Sequence, residues 1–154
     1  MQYWLFKTEP DAFGIDDLAA RPHQTEHWDG IRNYQARNFL RDQVQLGDQV
    51  FIYHSSCKEA GIAGLAEIVR TAYPDHSQFD PESTYFDPKS EVQAPRWYMV
   101  DVKLKQKFNK VLLLSTIKSM PQLTELRLLK KGHRLSIMPV LPEEFLHLLQ
   151  AAKT

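Results

Sequence analysis

The run Trp28-Asp29-Gly30-Ile31-Arg32-Asn33-Tyr34-Gln35-Ala36-Arg37-Asn38 gathers an indole, a carboxylate, a glycine, two arginines and several amides. A helix that only fills a core has no use for that mixture. An indole beside a turn beside a helix N-terminus can wall a flat polar ligand and offer it N–H donors. Gly30 permits a backbone turn that other residues resist. Asn33 is placed to cap a helix over residues 34–42, in which Ala36, Phe39 and Leu40 share one face. The competing reading makes Trp28 core, Gly30 a structural turn and the arginines solvated.

Other chemistry is sparse. His54-Ser55-Ser56-Cys57 is the one run that holds nucleophiles. Neighbouring strand residues point to opposite faces, so His54 is poorly placed to activate Ser55. There is no nucleophile-elbow pattern, and no catalytic residue is assigned. His23, His27, His54, His76, His133 and His147 lack ligand spacing, and a single cysteine cannot build a thiolate site. The acids Asp75, Asp80, Glu82 and Asp87 do not follow a calcium loop, and phosphate-loop and dinucleotide signatures are absent. No metal and no cofactor are expected. What remains is a binding pocket. Tyr53 ends a strand, with His54 and Ser55 just after it, and Arg134-Leu135-Ser136 sets donors beside a leucine.

The elements that must position these groups read as follows. Residues 3–7 form an aromatic-rich strand, and 15–20 a short helix stopped by Arg21-Pro22. The Trp28 turn and the 34–42 helix come next. Leu46-Gly47-Asp48 turns the chain into a strand over 49–53, and a longer strand over 62–71 carries a bulge at Gly64. Residues 73–95 form the longest loop, with an internal echo, Phe79-Asp80-Pro81 and Phe86-Asp87-Pro88. Its phenylalanines should anchor it while its aspartates bond to nearby backbone amides. A strand over 96–108, short helical turns through 129, a last strand or loop over 134–140 and a helix over 142–152 complete the chain. Strands separated by short helices, without βαβ repetition, predict an α+β fold. Its sheet should be mixed or mainly antiparallel, strongly curved, and held in a single domain over 1–154.

The chain of 154 residues, 43% hydrophobic and 25% charged, is globular in composition. No apolar run approaches the roughly 20 residues of a membrane span, so no membrane partner is expected. Cys57 is the single cysteine. No internal disulfide can form, and a reducing, cytoplasmic setting is expected, nucleoid-associated if DNA is the partner. The N-terminus reads as a strand and not a signal peptide, and the lack of appended tails predicts a free-standing protein. Net charge is zero, which argues against a strong sequence-independent hold on phosphates. Its distribution is uneven: residues 1–100 carry a balance of −6 and residues 101–154 one of +6. The basic residues from Lys103 to Arg134 would offer a phosphate-binding surface if one face collected them.

Several runs together resemble a known family. They are Tyr3-Trp4-Leu5 with Lys7, Glu9 and Pro10; the whole stretch from Trp28 to Asn38; Gly47-Asp48 followed by Phe51, Tyr53, His54 and Ser55; Tyr73-Pro74-Asp75; Phe79-Asp80-Pro81; Tyr85 with Asp87-Pro88-Lys89-Ser90; Pro95-Arg96-Trp97; Val100-Asp101-Val102; and Arg134-Leu135-Ser136 with Pro139-Val140. In this order they are similar to the EVE domain of the PUA-like superfamily, with its small proteins related to thymocyte nuclear protein. Met138 and Leu141 depart from the pattern near the last helix. The resemblance implies a curved, barrel-like mixed sheet with flanking short helices. It also implies a non-enzymatic module that grips a modified nucleobase, modified cytosine in DNA, in an aromatic-lined pocket. Modified RNA, or a free nucleobase or nucleoside, are the alternatives. On this reading Trp28, Asn33, Tyr53, His54, Ser55, Leu135 and Ser136 form the base pocket, and Arg32, Arg37 and Arg134 hold phosphates. Oligomeric state is left open.

Overall fold

The computed structural model describes residues 1–130 and 135–153. Its elements run β1 (Tyr3–Thr8), α1 (Pro10–Phe13), α2 (Ile15–Ala20), β2 (Thr25–Trp28), α3 (Tyr34–Asn38), β3 (Gln49–His54), β4 (Gly61–Pro74), β5 (Tyr98–Leu113), α4 (Leu114–Lys118), β6 (Ile137–Val140) and α5 (Pro142–Ala152). The strands form a six-stranded sheet in the order β2-β5-β4-β3-β1-β6. β1 and β3 pair in parallel, and the remaining neighbours are antiparallel.

Alternation in the strands produces two cores. Trp4 and Phe6 of β1 and Val50 and Ile52 of β3 face one side, while Leu5, Phe51 and Tyr53 face the other. On the first, concave side every strand contributes, including Trp28 from β2 and Ile137 from β6. Ile15 and Leu18 of α2, Ile31, and Phe39 and Leu40 after α3 fill the hollow. On the second side Ile117, Leu123, Leu126, Phe145 and Leu148 cover Phe51, Ile62 and Phe108. β1 and β2 lie four strands apart in the sheet order. The rings of Phe6 and Trp28 nevertheless approach to 5.7 Å, which only a strongly curved sheet permits. The sheet does not close, since β2 and β6 are its two edges.

The mixed curved sheet and its short helices match the expectation, and the differences are local. Residues 25–27 carry no expected element and Trp28 reads as part of a turn, yet together they form β2, an edge strand whose Thr-Glu-His-Trp has no alternation of apolar residues. The helix over 34–42 is α3 continued by a wider π turn at Phe39–Gln43. β4 and β5 run longer than expected because register shifts near Gly64 and Arg70 let the hairpin bend without ending. The last strand starts at Ile137, three residues after the expected start, and Arg134 lies outside the described residues. In the 73–95 loop, Asp80 accepts from the Glu82 amide at 2.9 Å and Asp87 from the Lys89 amide at 3.0 Å, as expected. Phe86, however, is exposed and does not anchor the loop. At the start of α5 the missing capping hydroxyl is offset by Glu144, which accepts the Leu141 amide at 2.9 Å.

Candidate functional site

A cavity of about 610 Å³ opens on the concave side. Its walls come from the end of β1 (Lys7, Thr8, Glu9), from Ala12 and Phe13, from Arg21, from the run Glu26 to Ile31, from Tyr85 and from Ser136. The two sheet edges thus meet here, Trp28 from β2 and Ser136 from just before β6.

One wall depends on a buried carboxylate. Gly30 has φ +79°, and its amide donates to Asp75 Oδ2 at 2.8 Å. Asp75 is fully buried. Its Oδ1 accepts from the Ser77 amide at 2.8 Å and the Ser77 hydroxyl at 2.5 Å, and its Oδ2 from Arg32 Nη1 at 3.1 Å. Burial pushes the Asp75 carboxyl up, but the hydrogen bonds from Ser77, Gly30 and Arg32 outweigh it and hold it below the usual carboxylate range. The Tyr85 ring lies against Gly30 so closely that a Cβ there would sit 2.6 Å from it. The Arg32 guanidinium stands 5.5 Å from the Tyr85 ring centre and 5.3 Å from that of Trp97. Gly30 is therefore required twice, for its backbone angle and for its lack of a side chain.

Trp28 is 6% exposed and packs against Phe6 and Phe13, the latter at 6.0 Å. It serves core and cavity wall at once. The more open aromatic surface belongs to Tyr85, 42% exposed, and to Phe13, over which Arg21 sits at 5.1 Å. Glu26 is committed: Oε2 accepts from Arg21 Nε at 2.6 Å, and Oε1 faces the His27 amide and Nδ1, each at 3.0 Å. Asp29 is not. Its nearest ionic neighbour is His27 Nε2 at 3.8 Å. Burial raises the Asp29 carboxyl above its ordinary range, Asp75 adds to this, and His27 opposes it.

Of the residues picked from sequence, Trp28 and Ser136 line this cavity. The other described ones sit elsewhere. Asn33 caps α3, accepting the Ala36 amide at 3.0 Å. Tyr53 is buried on the opposite, convex side, and Leu135 is core. His54 Nε2 accepts the Ile15 amide at 3.0 Å and so serves the N-terminus of α2; it lines a second hollow of about 450 Å³ with Asp16, Glu59, Lys107 and Lys110. Burial lowers the His54 pKa, against Asp16 and Asp17. Ser55 joins its backbone to Thr8 O at 2.9 Å.

The arginines have internal work. Arg32 donates to Tyr85 O through Nε and Nη2, to Ile31 O and Asp75 through Nη1, and to Ser77 Oγ through Nη2. A guanidinium has five N–H groups, so none is left for a phosphate. Arg37 donates to Arg96 O at 2.9 Å and to Asn38 Oδ1 at 2.8 and 3.0 Å, and covers the Tyr34 ring. The cations that do line the cavity, Lys7 and Arg21, escaped the sequence reading, as did Phe13, Asp29 and Tyr85. Asp29 lay inside the very run singled out; the others had only their membership of the matching runs or no signal at all. Among the described residues there is no cluster of three or more His, Cys, Asp or Glu fit for a metal, and no helix is long and apolar enough to cross a membrane.

Comparison with known proteins gives this geometry a family. Thymocyte nuclear protein 1 of Homo sapiens is 45% identical over 159 residues, covering 93% of this chain and 70% of that protein. A crystal structure of a Pseudomonas syringae protein superposes with a TM-score of 0.93 at 47% identity, covering 97% of this chain and 99% of the other. The crystal structure of human THYN1 protein in complex with 5-methylcytosine containing DNA superposes with a TM-score of 0.94 at 43% identity, covering 100% of this chain and 99% of the other. The EVE domain model matches residues 2–151, and the chain belongs to the EVE domain family.

Proposed function

We propose that this chain is a non-enzymatic reader of a modified nucleobase, with modified cytosine in DNA as the favoured ligand, and that the extruded base enters the cavity between the sheet edges. The observation that carries this reading is the likeness, along the whole chain, to a protein whose structure holds 5-methylcytosine containing DNA. The cavity of about 610 Å³ supports it, since small-molecule sites run from about 300 to 1,000 Å³. Extruding a base costs a few kcal/mol of stacking and pairing, which a pocket must replace. Trp28, Phe13 and Tyr85 supply apolar walls, an aromatic face contributing about 1–3 kcal/mol per stacked base. Ser136 and Asp29 face the base edge. Lys7 and Arg21 are the cations nearest the mouth for flanking phosphates, joined in this reading by Arg134. Asn33, Tyr53, His54, Ser55 and Leu135 hold the walls in place from behind, as do Arg32 and Arg37. On this reading the protein works where the DNA is, on the nucleoid if its cell has no nucleus.

The test is a binding series by fluorescence anisotropy, with 5-methylcytosine or cytosine at one position of otherwise identical DNA and RNA oligonucleotides, at several salt concentrations. The expected result is tighter binding of modified DNA, with affinity that falls as salt rises. Equal binding of modified and plain strands in both nucleic acids overturns the reading. Salt-insensitive capture of the free nucleoside would replace it with a small-molecule sensor.

A further inference from the structure

Three carboxylates stand on the wall of the cavity, Glu9, Glu26 and Asp29. Their situations differ. Both oxygens of Glu26 are engaged, by Arg21 and by His27. Glu9 is exposed to solvent. Asp29 is held between the buried indole of Trp28 and the Gly30 turn, with its side chain 35% exposed. Among the described residues no side-chain donor lies within hydrogen-bond distance of it, and His27 Nε2 stays at 3.8 Å. Ser136 lines the same cavity, and its hydroxyl makes no hydrogen bond among the described residues. The partners of Asp29 are its own backbone amide and the more distant His27, so this half-buried carboxylate on an open cavity wall keeps acceptor capacity that a ligand's donor can fill.

We propose that Asp29 is the specificity-determining residue of this cavity: its carboxyl receives the exocyclic amino group of a cytosine-type base and rejects a thymine- or uracil-type base. The inference rests on the nucleobase reading above and deepens it. 5-Methylcytosine and thymine share the ring methyl and the 2-carbonyl. They differ at position 4, amine against carbonyl oxygen, and at N3, acceptor against N–H. An amine N–H fills a remaining lone pair of the Asp29 carboxylate. A thymine carbonyl there sets lone pair against lone pair and leaves both groups desolvated and unmatched. Burial and Asp75 raise the proton affinity of Asp29, against His27 and His76.

The test uses single-stranded DNA oligonucleotides that differ at one position, carrying 5-methylcytosine, thymine, or 5-methylpyrimidin-2-one, which lacks the 4-amino group. Anisotropy titrations of the wild type should show the 5-methylcytosine strand bound about ten- to hundredfold tighter than either of the others, the range of one well-formed base-edge pair. In Asp29→Asn the preference over thymine should shrink to about threefold or less, because an amide offers a donor as well as an acceptor. Circular dichroism melts establish that the variant is folded. The pyrimidinone strand tests the amine without any substitution, so a misfolded variant leaves the inference open to refutation. Undiminished preference in folded Asp29→Asn, or wild-type binding of the pyrimidinone strand as tight as that of 5-methylcytosine, overturns the role of Asp29 while the reader function stands. Wild-type protein that, in the anisotropy series above, does not distinguish 5-methylcytosine from plain cytosine overturns both.

Discussion

Two corners of the molecule are made from the same parts, a glycine at positive φ and a buried aspartate. At the first, Gly47 has φ +87° and Asp48 is 1% exposed. Asp48 accepts from Trp4 Nε1 at 3.0 Å, the Gln2 amide at 3.0 Å and the Gln45 amide at 2.9 Å, tying the start of β1 to the turn before β3. At the second, Gly30 has φ +79° and Asp75 holds Gly30, Ser77 and Arg32. The surroundings separate them. A Cβ on Gly47 would meet nothing within 4 Å, whereas one on Gly30 would strike Tyr85 at 2.6 Å. The Asp48 corner holds scaffold to scaffold. The Asp75 corner holds a cavity wall, so under the proposed function stability and recognition are joined at one carboxylate and kept apart at the other.

The sharpest way to break this comparison is Asp75→Ala against Asp48→Ala. Removing Asp75 strands the Arg32 guanidinium and the Gly30 amide, and urea unfolding should report a loss of about 3–5 kcal/mol, as for a buried charge left unpaired. Below its melting temperature the variant should bind the modified oligonucleotide at least about tenfold more weakly, as for one lost stacking surface. Asp48→Ala should lose about 2–3 kcal/mol, from several hydrogen bonds to one carboxylate, and bind normally while folded. Equal binding defects in the two would erase the distinction.

The glycines offer a smaller contrast. Gly47→Ala should lose only the left-handed backbone penalty, about 1–2 kcal/mol. Gly30→Ala should lose more, because Tyr85 must move, and its binding should weaken. Adding Tyr85→Ala to Gly30→Ala should be non-additive by about 0.5 kcal/mol or more, since the two sites are in contact. Additivity in thermal melts would mean that the ring does not press on Gly30 in solution.

Acid titration sharpens the comparison further. The carboxyl of Asp75 is depressed in the folded state, so the unfolded chain binds more protons as pH falls. The stability it contributes is full above its unfolded value of about 3.9 and disappears as pH drops through the lower folded value. Asp75→Asn should therefore show a shallower acid limb below about pH 4 than wild type. His54 follows the same sign, since its folded pKa is also lowered. Its contribution is complete above about pH 6.5 and fades as pH falls below that, so His54→Gln should flatten the curve there. A wild-type curve level from pH 7 to 5 would contradict the cap that His54 gives to α2.

The smallest expected effect is that of Arg37→Ala. With its guanidinium on Arg96 O and Asn38, loss of this side chain should lower stability by about 1 kcal/mol. The salt slope of oligonucleotide binding should not change. A slope flatter by close to one contact would return Arg37 to the phosphates, where the sequence placed it.

The sheet and its helices were legible because their signals are local. The short apolar and aromatic runs of β1 and β3, Asn33 before α3 and the proline and acids opening α5 each declare an element without reference to distant chain. The cavity is another matter. Trp28 and Ser136 were both picked, one beside a glycine turn and one beside a buried leucine, and they come from opposite sheet edges. Arg32 was misassigned because its partners Asp75, Ser77 and Tyr85 lie 43 to 53 residues away in the chain, and no pattern in its own neighbourhood announces them. Tyr53 and His54 sit at a strand end, as ligand residues often do, yet alternation sends Tyr53 to the convex core and the α2 N-terminus claims His54. What sequence lacks here is the direction in which a curved sheet brings its ends together.

The open sheet gives the site a mechanical character of its own. β2 and β6 are the two free edges, and the cavity sits where their ends converge. Closure across this seam rests on aromatic rings, Phe6 against Trp28 and Trp28 against Phe13. It does not rest on a ladder of backbone hydrogen bonds. The arrangement is a pair of jaws with a stiff spine: the antiparallel hairpin of β4 and β5 and the central β3–β1 pair form the spring, and the rings form the grip. Ring contacts carry no hydrogen bond to be broken, so this seam is less directionally constrained than the paired strands behind it.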